Sequence, residues 1–125
     1  MNENIWGISL AKFEGDEAIL LYGPKSMYLL DLGGKGVVKL YEAKEGYCLT
    51  PVEVSDGDGD GRDEVFAALH NETESLFTEL EYVNGRLWEK LEVQINAKVF
   101  SILSLGSRDF LLGSSAGLYL LKLPK

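Results

Sequence analysis

Apolar residues recur along this chain at short intervals, and where the spacing is regular its period is two rather than 3.6. In Glu79 to Val83, Leu80 and Tyr82 alternate with Glu79 and Glu81, the pattern of a half-buried strand. Eleven short segments rich in Val, Ile, Leu, Tyr and Phe are predicted as strands. They run Ile5 to Phe13, Glu17 to Tyr22, Met27 to Leu32, Val37 to Tyr41, Tyr47 to Val54 and Glu64 to His70, then Ser75 to Tyr82, Arg86 to Val93, Lys98 to Leu105, Asp109 to Gly113 and Leu118 to Leu123. Turn signals separate them. Gly33-Gly34-Lys35-Gly36 reads as a hairpin turn, because it lacks the spacing and following helix of a phosphate loop. Asn84-Gly85 is a strong hairpin dipeptide, both residues accepting positive φ.

The segments repeat. Ile8 to Phe13, Leu49 to Val54 and Phe100 to Leu105 superpose as an apolar residue, a hydroxyl and a mostly apolar tail. The next strand opens each time on an acid, Glu17, Glu64 or Asp109, at offsets of 47 and 45 residues. A unit of roughly 40 to 45 residues with four strands is the spacing of propeller blades. The fold expected is therefore all-β, with blades of four antiparallel strands, in one domain of three repeats at about 5–42, 47–93 and 98–123. The third repeat has three strands. An irregular sandwich or barrel with evenly spaced turns is the alternative. Three blades do not close a ring, so a second copy or the rest of a longer chain is expected to complete it.

Composition adds limits. The 125 residues are 46% apolar and 26% charged, which suits a domain with its own core. Twelve basic against twenty acidic residues give a net charge of −8, which repels nucleic acid and anionic membrane surfaces. No apolar run approaches the roughly 20 residues of a membrane span, and the first residues do not read as a signal peptide, so a cytoplasmic location is expected unless the chain is an excised or processed fragment. Cys48 has no partner cysteine, which excludes a disulfide framework, and reads as a small hydrophobe in a strand. His70 stands alone as an edge or surface residue, and Asn71-Glu72-Thr73 matters as a glycosylation pattern only on a secretory route. Trp6, Trp88, Tyr28, Phe77, Tyr82 and Tyr119 read first as packing between sheets.

One segment asks for chemistry. Residues 56–64 read DGDGDGRDE, with oxygen ligands at alternate positions. Asp56, Asp58 and Asp60 take places 1, 3 and 5, Arg62 offers a backbone carbonyl at place 7 and Glu64 a carboxylate at place 9. This set suits Ca²⁺, which takes six to eight oxygens at about 2.3 to 2.6 Å, better than the stricter octahedron of Mg²⁺. Five acids and one base leave −4 in nine residues, a repulsion that a divalent ion relieves. A solvated acidic turn is the plain alternative. An EF-hand is excluded: place 12 is Ala67 and the flanks are strands.

Val54 to Leu69 resembles an FG-GAP repeat, the repeat of integrin alpha subunits. The resemblance implies a calcium loop between the first two strands of a propeller blade, with Asp56, Asp58, Asp60 and Glu64 as side-chain ligands, Arg62 as a backbone ligand, Asp63 outside, and the metal bracing the blade's outer rim. Only the middle repeat has the loop; the turns at Glu14-Gly15-Asp16-Glu17 and Gly106-Ser107-Arg108-Asp109 are too short. The function expected is a calcium-binding, non-catalytic propeller module with a structural or protein-interaction role, including self-association. The competing class is part of a propeller enzyme, a carbohydrate-related lyase or hydrolase with its active site elsewhere, since this chain has no nucleophile paired with a base.

Overall fold

The computed structural model describes residues 4–14, 16–30 and 36–124. Eleven strands form: β1 (Gly7–Phe13), β2 (Asp16–Tyr22), β3 (Ser26–Leu30), β4 (Val37–Glu42), β5 (Val52–Ser55), β6 (Glu64–His70), β7 (Ser75–Val83), β8 (Arg86–Ile95), β9 (Val99–Gly106), β10 (Asp109–Ser114) and β11 (Gly117–Lys122). There is no helix among the described residues, and hence none long and apolar enough to cross a membrane. The strands make three antiparallel meanders: sheet 1 is β1-β2-β3-β4, sheet 2 is β5-β6-β7-β8, and sheet 3 is β9-β10-β11. These are propeller-like blades, the third with three strands.

Alternation decides how the sheets stack. In β6, Val65, Ala67 and Leu69 point to one side and join Ala11, Phe13, Leu20 and Leu40 of sheet 1. Phe66 and Ala68 point to the other side and join Phe77 of their own sheet with Phe110 and Leu112 of sheet 3. A strand covered on both faces cannot alternate apolar with polar, so every residue from Glu64 to Leu69 is buried. Sheet 2 is thus the middle layer of the stack. The first strands lie side by side, β5 against both β1 and β9, while β4 and β8 meet at the other edge. Rings seal both seams: Phe13 stacks on Tyr82 at 4.6 Å, and Phe66 and Phe77 lie 4.4 and 5.2 Å from Phe110.

Some predicted boundaries move. The strand expected from Tyr47 starts only at Val52, because Pro51 has no N–H to give the ladder. Upstream, only an isolated bridge between Cys48 and His70 continues the pairing, so half-buried Cys48 lies outside any strand. The second strand begins at Asp16, one residue before the predicted acid. Residues 31–32, the end of the predicted third strand, and 33–35 of the glycine turn lie outside the described residues. The Asn84-Gly85 turn forms as expected, with φ of 51° and 84°.

Candidate metal centre at the seam between sheets 2 and 3

The acidic segment is the connection from β5 to β6, and it winds around Asp56. Asp56 Oδ1 accepts the N–H groups of Gly59 (2.8 Å) and Asp60 (3.2 Å), and Oδ2 that of Gly61 (2.8 Å). Asp58 Oδ1 accepts from Asp60 N at 3.2 Å, and Asp60 Oδ1 from Arg62 N at 2.8 Å. These bonds need left-handed turns at Gly59 and Gly61, with φ of 77° and 85°, where any side chain would be strained. Gly57 serves differently. A Cβ there would lie 2.9 Å from Phe66 Cζ and 3.4 Å from Glu64 Oε1, so its absence lets the loop settle on the core.

Glu64, the first residue of β6, is 1% exposed, and its Oε1 accepts the Gly57 N–H at 2.8 Å. Asp56, Asp58, Asp60 and Glu64 each offer one carboxylate oxygen, and the four oxygens all lie within 4.8 Å of one another. Oxygens on opposite sides of Ca²⁺ are about 4.6 to 5.2 Å apart, twice the bond length, so the four fit around one such ion. Among the described residues no second group of this kind converges. Burial, followed by the charges of Asp58 and Asp60, pushes the Glu64 carboxyl up to about 7. The Arg62 N–H holds Asp60 below the usual carboxylate range. Arg62 itself is exposed, its Nη2 3.3 Å from Asp60 Oδ2.

Asp63 stands apart from the four and fastens the loop to sheet 1. Its Oδ2 accepts the Lys12 N–H at 2.7 Å, and its own N–H donates to the Lys12 carbonyl at 2.8 Å. On the opposite side the loop borders sheet 3 through residues that sequence reasoning missed. Arg108, in the β9–β10 turn, is 8% exposed and grips Glu79 of β7 in a fork, Nη1 to Oε2 at 3.0 Å and Nη2 to Oε1 at 2.7 Å. Its Nε donates to the Pro124 carbonyl. These bonds to Glu79 raise the guanidinium further above its ordinary value. Lys90 of β8 sits between acids, 3.5 Å from Asp58 and 3.8 Å from both Glu79 and Glu81. Asp56, Gly57, Asp58, Glu79, Lys90 and Arg108 line a cleft of about 530 Å³. The loop therefore lies at the seam between sheets 2 and 3.

Most of the other singled-out residues have structural partners, whereas Trp6, Trp88 and Tyr119 are not packed between sheets as expected. His70 Nδ1 lies 2.8 Å from the Thr50 carbonyl. Asn71 Oδ1 accepts the N–H groups of Thr73 and Glu74, closing a turn. Phe77 and Tyr28 are buried, Tyr82 stacks on Phe13, and Trp6, Trp88 and Tyr119 are exposed.

No protein-family model matches the chain, and no curated protein is significantly similar to it. Among solved structures it is similar to the AfRom2 CNH domain, itself a β-propeller, with a TM-score of 0.70 and 18% identity. The likeness covers 97% of this chain and 38% of that one, so this chain spans well under half of its neighbour. At this identity the likeness is one of fold. The resemblance to the FG-GAP repeat is corrected accordingly: that family is not matched, and the structural likeness runs to a different kind of propeller. The resemblance rested on one loop, and alternating Asp and Gly encode only a tight turn with inward oxygens, which constrains nothing about the blades on either side.

Proposed function

We propose that this chain is a non-catalytic segment of a β-propeller, braced by one Ca²⁺, with a structural or protein-interaction role. The observation that carries the reading is the convergence of Asp56, Asp58, Asp60 and the buried Glu64 within 4.8 Å. In this reading those four carboxylates and the Arg62 carbonyl hold the ion, and Lys90 yields Asp58 to it while keeping Glu79 and Glu81. The ion fixes a loop that Asp63 ties to sheet 1 and that borders the Arg108–Glu79 pair joining sheets 2 and 3. Calcium thus clasps all three layers at one point. In the cleft, Glu79, Lys90 and Arg108 are held in ion pairs, which suits a structural role.

Thermal melting of chelated protein with added Ca²⁺ or Mg²⁺ tests this. At a calcium concentration 100 times Kd, linkage adds about 2.7 kcal/mol. Unfolding entropy of about 2.1 cal/mol/K per residue converts that to about 10 °C in Tm for a chain of this length. Magnesium gives a smaller shift, and Asp58→Ala with Asp60→Ala abolishes the calcium effect. Equal melting with calcium and with chelator refutes the site.

A further inference from the structure

Both seams join the same two kinds of surface. Sheet 1 presents a forward face to the backward face of sheet 2, and sheet 2 presents its own forward face, with Phe66 and Phe77, to the backward face of sheet 3. One face of each kind is left over. On sheet 1 the backward face carries Ile8 and Leu10, paired across the ladder with Leu21 and Ile19 and 67% and 63% exposed. On sheet 3 the forward face carries Leu118 and Leu120, paired with Gly113 and Leu111 and 76% and 59% exposed. Such a concentration of exposed apolar side chains on two flat faces is a docking feature and not ordinary surface scatter.

We propose that a second copy of this chain covers both faces, head to tail. The forward face of sheet 3 in each copy packs on the backward face of sheet 1 in the other, so two identical seams close six sheets around a twofold axis. The stacking itself chooses this occupant. The new contact continues the stacking that the chain already makes twice, forward face on backward face. Charge does not oppose it: Lys122 stands opposite Asp109 on sheet 3 and Lys12 opposite Glu17 on sheet 1, so each face sets a base beside an acid. Residues 47–93, with twelve acids and three bases, lie in the middle layer, so a chain of net charge −8 meets its copy without setting its acidic repeats face to face. The proposal rests on the reading of this chain as an incomplete propeller and is independent of the calcium site, so a failed calcium titration leaves it standing.

Size exclusion with light scattering tests it. The wild-type chain is expected at about 28 kDa, twice 13.8 kDa. Leu10→Asp and Leu118→Asp spoil opposite faces, and each alone gives the single-copy mass. Mixed one to one, they regain the double mass at higher concentration, because the intact sheet 3 of one meets the intact sheet 1 of the other. A contact between two like faces would be broken by only one of the substitutions and not rescued by mixing. Far-UV circular dichroism accompanies each sample, with Ile8→Lys or Leu120→Lys replacing a variant that loses its strand signal. A wild-type mass of one copy, a mass above two copies, or dissociation by only one substitution overturns the proposal.

Discussion

Replacing Arg108 by Met removes the fork that neutralises Glu79. The glutamate is 1% exposed, and after the change its nearest cation is Lys90 Nζ at 3.8 Å. Breaking a buried pair by removing one partner costs about 3 to 5 kcal/mol, since a charge is left without compensation. Lys90 moderates this, so the lower end, about 3 kcal/mol, is expected. At an unfolding entropy of about 2.1 cal/mol/K per residue, that is a fall of about 11 °C in Tm. Glu79→Leu alone leaves Arg108 buried with only the Pro124 carbonyl and costs a similar amount. The double variant removes both charges and returns to within about 1 kcal/mol of wild type, as apolar replacement of buried pairs is often neutral. Urea unfolding of the four proteins, with m unchanged, closes the cycle with a coupling of at least about 2 kcal/mol. A loss below about 1 kcal/mol for Arg108→Met, or additive single effects, would refute a desolvated pair at this seam.

Other expectations separate the parts of the structure. Phe110→Ala empties the centre of the ring cluster with Phe66 and Phe77 and costs about 3 to 5 kcal/mol in urea unfolding. Asp63→Ala loses the acceptor of the Lys12 N–H, lowering stability by about 1 kcal/mol while calorimetry finds calcium affinity within about threefold of wild type. Burial, then the Glu89 carboxylate that accepts its O–H at 2.9 Å, pushes the Tyr41 phenol above its ordinary value. An acid raised in the folded state contributes fully below its unfolded value of about 10 and loses that contribution as pH climbs toward the folded one. Stability should therefore decline above about pH 10, and Tyr41→Phe should flatten the decline in melting curves.

The strands were legible because two-residue periodicity and turn chemistry are local properties, and Asn84-Gly85 shows both at work. The acidic loop was legible too, since its spacing alone brings Asp56, Asp58, Asp60 and Glu64 around one point. Glu79 was not. Alternation marks it as a polar residue facing away from Leu80, and only the stacking of sheet 3 on that side turns the away face into an interior one. Arg108 lies 29 residues further on, in a turn where a base suggests solvent, and nothing local announces its partner. The short β5 follows from Pro51, a local signal that the apolar run around it masks in the sequence. The family resemblance misled because it rested on a loop, and loop geometry is independent of what its strands pack against.

Isothermal titration of the chelated chain with calcium reaches the main idea most directly. One ion per chain is expected, bound with proton release as Glu64 gives up the proton of a carboxyl that burial holds near neutrality, and no heat of binding when Asp58 and Asp60 are both Ala. Absence of saturable binding in the wild-type chain, or undiminished binding in that double variant, would contradict it.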